Sequence, residues 1–198
     1  MKTRRFFSVF LLCALIVSLF ATPLSAAAET DAKTPPAPGI ESKAALLVDA
    51  NTGNVVYAKN EHEEMYPASL TKIMTALLVL EAVDDGQLSL TQQLTASHSA
   101  MTAGLEEDGS TAGILEGETM TVEQFLYCML VVSANEACNV LAEAVAGDID
   151  TFVEKMNAKA QELGCENTHF VNPSGLHDPD HYPSAWDLCL ITKAAMQY

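Results

Sequence analysis

The sequence predicts an α+β protein, with one β-hairpin followed by at least five helices. Strand-like sequence is confined to one hairpin at residues 44–58, whereas helical periodicity recurs in five later segments. A lone hairpin is only marginally stable in water, so it must join a larger sheet. Because the chain offers too few strands to build that sheet, we expect its 198 residues to be a fragment of a longer protein, with an incomplete sheet.

The N-terminus has the three parts of a secretory signal peptide. A short basic start precedes the apolar run 6–20, and small residues follow at 24–28. The run is shorter than the roughly 20 residues that a membrane-spanning helix needs, so a permanent anchor is the weaker alternative. We therefore assign residues 1–28 to a signal peptide, the proline-rich residues 29–39 to a linker, and residues 40–198 to one domain.

Charge and cysteine usage narrow the function classes. The formal net charge of −16 argues against nucleic acid as a partner, because phosphates would be repelled, and it keeps an exported protein soluble. Four cysteines follow the signal segment, and three of them lie among apolar residues at helical spacing, where buried free thiols are common. Their spacing does not resemble a zinc site, and their pairing stays open. They are Cys128, Cys138, Cys165 and Cys189.

The first elements are a hairpin and a helix. In the hairpin at residues 44–58, turn-forming residues 49–54 separate two apolar runs. A helical apolar period then begins at Ser69 and lasts to about Val83, where an Asp-Asp-Gly sequence stops it. Residues 88–118 contain four glycines and no sustained period, so loops with short elements are expected there.

Four more helices follow. Thr121 opens the first of them with a capping box. The second runs from about 135 to 146, and the third starts near Thr151 and ends at Gly164. The last helix is opened by a serine at 184 and is expected to be still running at Tyr198.

The segment 172–183, between the third and the last of these helices, reads as an irregular loop. His177 and His181 lie four residues apart with flanking carboxylates, which is one pattern of a metallopeptidase site. Paired ligands at that spacing need a helix, however, and Pro179 disfavours one. The simpler interpretation is a loop whose polar groups satisfy its own backbone.

Ser69 and Lys72 are the first pair of candidate catalytic residues. If Ser69 begins a helix, Lys72 lies one turn on and on the same face. Serine is also a common N-cap, but a lysine in the first turn faces the positive end of the helix dipole, which is unfavourable for stability. A serine hydroxyl needs a base to become a nucleophile, and the helix N-terminus and desolvation would lower the pKa of a lysine that serves as that base.

The second candidate constellation is Ser133-Ala134-Asn135. On its own this segment favours a structural role, because Ser133 and Glu136 match a capping box for the helix that follows. A functional role requires Ser133 to face Lys72 and to pass a proton to the leaving group, with Asn135 holding a substrate amide.

Together the two constellations resemble the penicillin-recognising serine enzymes, whose motifs are Ser-x-x-Lys, Ser-x-Asn and Lys-Thr-Gly. The surrounding residues are similar to the low-molecular-weight penicillin-binding proteins of the D-alanyl-D-alanine carboxypeptidase family. The similar segments are 66–75, 133–138, 172–176, His181-Tyr182 and 184–188. One departure is clear, since neither Lys-Thr-Gly nor Lys-Ser-Gly occurs in the 198 residues. In the family that motif lies on a sheet strand, and we expect it beyond Tyr198.

The resemblance implies a β-lactamase/DD-peptidase-like α+β fold, in which an antiparallel sheet packs against helices beside a helical subregion. Residues 40–198 would be the N-terminal part of this catalytic domain, with an incomplete sheet. It implies Ser69 as nucleophile, Lys72 as its base, Ser133 as proton carrier and Asn135 as substrate-binding residue, with no metal and no organic cofactor. The implied substrates are peptidoglycan stem peptides ending in D-Ala-D-Ala, and β-lactams would acylate the same serine.

The resemblance also places the protein outside the cytoplasm, in the cell wall or at the outer face of the cytoplasmic membrane, with membrane attachment through a missing C-terminal segment as one option.

Three alternatives stay open beside the metallopeptidase. A β-lactamase shares the acylation chemistry, but the chain has no Glu-x-x-Leu-Asn segment, and the middle residue of the second motif is Ala134 instead of Asp. An inactive or truncated penicillin-binding homologue would fit the missing third motif. An endopeptidase on the same scaffold is not distinguished from a carboxypeptidase by these residues.

Overall fold

The structure, a computed structural model, describes residues 39–198. The predicted signal peptide 1–28 and the predicted linker up to residue 38 lie outside the described residues. Within residues 39–198, no helix is long and apolar enough to cross a membrane.

Two small antiparallel sheets and five helices make up the described part of the chain. In order, the elements are β1 (Ala45–Val48), β2 (Val55–Lys59), a 3-10 turn (Ala68–Thr71), α1 (Lys72–Asp84), β3 (Gln93–Thr95), β4 (Thr119–Thr121), α2 (Val122–Val131), α3 (Asn135–Ala146), α4 (Ile149–Glu162) and α5 (Ala185–Ala195). The α+β class predicted from the sequence is confirmed, and each described sheet has two strands.

The predicted hairpin is formed by β1 and β2. Ala45 pairs with Lys59, and the register shifts by a bulge after Leu47. At the turn, the Asp49 carboxylate accepts hydrogen bonds from two backbone N–H groups, and Gly53 has a positive φ of 74°. A short polar side chain and a glycine are the residues that such a turn requires.

Helix α1 lies at the centre of the core because its apolar residues extend around most of its circumference. On one side it packs against α2 and α3 in a cluster around Val79, Phe125 and Leu141. On the other side it packs against α4 and α5 in a cluster around Leu77 and Phe152. The first turn of this central helix therefore starts in a rigid environment, which is where the candidate site lies.

The later helices begin where the sequence predicts them, and the end of α5 differs from the prediction. Thr121 makes the predicted capping box of α2 with Gln124. Helix α4 begins at Ile149, close to the predicted start near Thr151, and Asp148 is its N-cap. Helix α5 ends at Ala195, so the prediction that it still runs at Tyr198 was wrong. The pairing of β3 with β4 was also not predicted.

Candidate active site

Ser69 lies in the 3-10 turn that leads into α1. Ala68, just before it, has a positive φ of 48°, and the turn passes directly into the helix at Lys72. The sequence predicted a helix beginning at Ser69, and the structure has this tighter turn in its place. Ser69 is exposed to solvent, whereas Lys72 is 3% exposed. The hydroxyl is accessible to a large ligand, and the amine three residues on is not accessible from solvent.

The Lys72 amine is held by three contacts. Its Nζ donates to the carbonyl oxygen of Ser174 at 2.7 Å and to Oδ1 of Asn135 at 2.8 Å, and it lies 3.3 Å from Oγ of Ser69. The first two partners are oxygens that can only accept. A neutral amine has two N–H donors and one lone pair, so these two oxygens use both donors and leave the lone pair for Ser69.

Burial lowers the pKa of the Lys72 ammonium, because desolvation penalises its charged form. Cys138 and Glu136 act in the opposite direction. Burial also raises the pKa of the Cys138 thiol to about 12, so this thiol is neutral near pH 7. The Glu136 carboxylate is therefore the negative charge that opposes the desolvation of Lys72 near neutral pH.

Ser133 faces Ser69 and does not cap α3. Its Oγ donates to Oγ of Ser69 at 2.8 Å, and its φ is 62°. The N-cap of α3 is Ala134, without a side-chain hydrogen bond, so the capping interpretation of Ser133 and Glu136 was wrong. A positive φ is uncommon for a residue other than glycine and costs conformational energy. At Ser133 this backbone conformation is accompanied by the hydrogen bond from its hydroxyl to Ser69.

The Glu136 side chain fixes the loop 109–112. Its Oε1 accepts from Oγ1 of Thr111 at 2.7 Å and from the backbone N–H of Ala112 at 2.8 Å. The same loop contacts Asn135, whose backbone N–H donates to the carbonyl oxygen of Ser110 at 2.9 Å. A Cβ atom at Gly109 would lie 3.1 Å from Nδ2 of Asn135, so glycine permits this close approach.

The segment 172–183, whose local sequence predicts an irregular loop, packs behind the 3-10 turn Ala68–Thr71, which we call the nucleophile turn because it carries Ser69, the predicted nucleophile. It provides the Ser174 carbonyl for Lys72, and the Pro173 carbonyl accepts from Oγ1 of Thr75 at 2.7 Å. Gly175, with φ of 89°, packs directly on the carbonyl of Ala68. Sequence reasoning gave this segment no role in the site, although residues 172–176 and His181-Tyr182 are among those similar to the family.

The two histidines of this loop point to different partners. The His177 ring contacts Tyr66 edge-on with ring centroids 4.6 Å apart, whereas His181 is buried and its Nε2 lies 2.8 Å from Oγ1 of Thr71. Among residues 39–198, no three side chains of the metal-ligating types come together in one cluster. The geometry therefore does not assemble the ligand set that a metallopeptidase would need from these two histidines.

The four cysteines within the described range are free thiols. Cys138, next to the second motif, is buried, and its Sγ donates to the Ala134 carbonyl at 3.3 Å. A buried thiol with a raised pKa is a poor nucleophile, so the structure gives Cys138 a packing role.

The structure thus brings the four predicted site residues, Ser69, Lys72, Ser133 and Asn135, into one hydrogen-bonded set. The sequence profile of a family described as D-alanyl-D-alanine carboxypeptidase matches residues 30–198. The chain belongs to this family.

Relatives and solved structures agree with the D-alanyl-D-alanine carboxypeptidase family. The chain is 40% identical over 188 residues to D-alanyl-D-alanine carboxypeptidase DacF of Bacillus subtilis, covering 95% of this chain and 47% of the relative. It is 35% identical over 184 residues to the carboxypeptidase DacD of Salmonella typhimurium, covering 91% and 47%. Penicillin binding protein 5 of Haemophilus influenzae superposes with a TM-score of 0.76 at 34% identity, covering 81% of this chain and 46% of that one.

These similarities confirm the DD-peptidase-like fold that the sequence motifs implied. The chain spans about half the length of the curated relatives that it matches.

Proposed function

We propose that the whole protein is a serine-type D-Ala-D-Ala carboxypeptidase that removes the terminal D-alanine from peptidoglycan stem peptides. The observation that carries this proposal is the chain of contacts from the Lys72 amine through the exposed Ser69 hydroxyl to the Ser133 hydroxyl. Membership of the D-alanyl-D-alanine carboxypeptidase family supports the substrate class.

In the proposed reaction, neutral Lys72 accepts the proton of Ser69 while Ser69 Oγ attacks the carbonyl carbon between the two terminal D-alanines. Both N–H donors of the amine are used by fixed acceptors, so its lone pair is directed at the nucleophile. Desolvation supplies the lowered pKa that a neutral lysine requires.

Ser133 then returns a proton to the departing amine. As the C–N bond breaks, the Ser133 hydroxyl protonates the leaving nitrogen and is reprotonated from Lys72, and free D-alanine leaves. Water, activated by the regenerated base, hydrolyses the ester on Ser69. Asn135 holds the substrate amide, since Lys72 and the Ser110 carbonyl fix its orientation at the edge of the site. β-Lactams acylate Ser69 by the same first step, and their ring amide replaces the peptide bond.

The proposed location is outside the cytoplasm, where peptidoglycan is found. The basic, apolar and small-residue pattern of residues 1–28 supports export. The function would then belong to cell-wall biogenesis and the maintenance of cell shape.

The test is covalent labelling of the full-length protein with benzylpenicillin, followed by intact-mass analysis and peptide mapping. The expected result is one adduct on Ser69, absent in Ser69→Ala and retained in Ser89→Ala, which removes an exposed serine outside the site. Release of D-alanine from a D-Ala-D-Ala peptide should follow the same pattern. An adduct on another residue, or one that persists in Ser69→Ala, would refute the proposal. An adduct that turns over rapidly, without D-alanine release, would indicate a β-lactamase instead.

A further inference from the structure

His181 is the only buried histidine of the five in the sequence, all of which lie within residues 39–198. Its side chain is 2% exposed and packs edge-on against Phe170, with ring centroids 5.5 Å apart. The proposed reaction gives this residue no role, although it lies directly behind the nucleophile turn.

The hydrogen bonds of His181 define one tautomer. The backbone N–H of Val171 donates to Nδ1 at 3.2 Å, so Nδ1 carries no proton. The proton of the neutral ring is then on Nε2, which donates to Oγ1 of Thr71 at 2.8 Å. Burial, which lowers the pKa of His181 to about 4, keeps the ring neutral near pH 7.

Thr71 connects His181 to the site because it lies between Ser69 and Lys72 in the chain. Its side chain is fully buried, so its hydroxyl depends on a protein partner. The bond to Nε2 provides that partner and ties the 3-10 turn to a loop that is 110 residues away in sequence. Losing such a bond leaves a buried polar group unsatisfied, and the local structure shifts to relieve it.

We propose that His181 is a positioning residue, which holds Ser69 in line with Lys72 and Ser133 through its hydrogen bond to Thr71. The inference rests on the proposed function, since the alignment matters only if Ser69 is acylated. The competing explanation is that His181 only stabilises the loop 172–183, in which case its replacement would lower stability but not the acylation rate of the folded protein.

A pair of amide substitutions separates the two explanations in the full-length protein. Glutamine at 181 can place an N–H near the position of Nε2 and reach Thr71, whereas asparagine reaches only the position of Nδ1 and can serve Val171 alone. We expect His181→Asn to lower the limiting rate of acylation by benzylpenicillin about three- to tenfold, as expected for one buried neutral hydrogen bond. The dissociation constant of the preceding non-covalent complex should stay within twofold, and His181→Gln should stay near the wild-type rate.

Thr71→Val provides the second arm, because valine keeps the shape of threonine without its hydroxyl. It should lower the acylation rate as much as His181→Asn, and the double variant should show no further loss, since both changes remove the same bond. His169→Gln is the matched control. That ring is exposed, and its Nδ1 hydrogen-bonds to the Asp180 carbonyl without contacting the turn. We expect it to leave acylation unchanged.

Three results would overturn the inference: wild-type rates in both His181→Asn and Thr71→Val, equal losses in the glutamine and asparagine variants, or additive losses in the double variant. A ¹⁵N spectrum showing the imidazole proton on Nδ1 at pH 7 would overturn it as well. If His181→Asn fails to fold, the Thr71→Val rate decides. A wild-type protein that forms no adduct would refute the proposed function, and the inference with it, whereas labelled wild type with unaffected variants refutes the inference alone.

Discussion

Gly175→Ala tests the contact on which the geometry of the nucleophile turn depends. Gly175 has a φ of 89°, and a Cβ atom there would overlap the carbonyl of Ala68 and lie 2.8 Å from Oγ1 of Thr71. The left-handed backbone costs an alanine about 1–2 kcal/mol, and relieving the overlap by moving backbone costs about 1–3 kcal/mol more. We expect the free energy of unfolding to fall by about 2–5 kcal/mol in total.

The same substitution should impair acylation, because relief of the overlap moves the loop away from the turn. The Ser174 carbonyl then withdraws from Lys72, water reaches the amine, and its pKa rises toward the ordinary value. Gly147→Ala is the matched control, with the same φ of 89° but no atom within 4 Å of the added Cβ. The free energy of unfolding of Gly147→Ala should fall only by the conformational cost of about 1–2 kcal/mol, and its acylation rate should equal that of the wild type.

Urea unfolding and the rate of benzylpenicillin acylation would measure both effects in the full-length protein. Equal stability losses in the two glycine variants, with equal acylation rates, would refute the reasoning, because the close contact at Gly175 would then contribute nothing beyond its backbone conformation.

Three further predictions concern the buried groups around the site. Glu136→Gln keeps an acceptor for the loop 109–112 but removes the charge that raises the pKa of Lys72, so the acidic limb of the acylation rate should move to lower pH. Glu136→Ala should also lower the melting temperature, and unchanged pH profiles in both variants would contradict this assignment. Burial lowers the pKa of His181 from 6.5 to about 4, so the unfolded state binds the proton more tightly. The free energy of unfolding should therefore fall as the pH drops through that window, by up to about 3 kcal/mol relative to His181→Gln, in urea titrations at pH 7 and pH 4. Cys138, whose pKa burial raises to about 12, should resist iodoacetamide at pH 8 until urea unfolds the protein, and rapid native labelling would show that its environment is open.

Local signals in the sequence predicted the helices well, because their contacts span only a few residues. The capping box at Thr121 formed as expected, since both of its hydrogen bonds join residues three apart. The same kind of pattern predicted a cap at Ser133 that the structure does not have. The Ser133 hydroxyl bonds to a partner 64 residues away, and its backbone is in the left-handed region. Local propensity contains no information about a partner that is distant in sequence. It therefore predicted a cap at Ser133, where the tertiary contact with Ser69 determines the conformation.

The strands β3 and β4 were not predicted, for a related reason. Each has three residues, too few to show an alternating pattern, and their pairing joins Gln93 to Thr121 across a long glycine-containing loop.

The two motifs, taken together as a resemblance to a known family, pointed to the four candidate site residues, but they did not predict the contacts made by the segment behind them. Ser-x-x-Lys and Ser-x-Asn are local patterns that resemble those of a known family. The carbonyl of Ser174 contacts Lys72, 102 residues away in sequence, and the ring of His181 contacts Thr71, 110 residues away. In addition, every residue has a backbone carbonyl, so residue identity does not reveal which carbonyl makes such a contact. Sequence reasoning therefore selected four candidate residues that the structure brings together, and it did not predict the contacts that hold Lys72 and Thr71 in place.

The environment of Lys72 has a consequence for the order of events in folding. Its two fixed acceptors lie 63 and 102 residues further along the chain, so the amine cannot lose its hydration until segments far apart in sequence have docked. Helices that form early would leave Lys72 protonated and Ser69 unreactive. During refolding, penicillin labelling should therefore return later than the far-ultraviolet circular dichroism signal, so the covalent adduct would count molecules in which Asn135 and Ser174 have already docked onto Lys72.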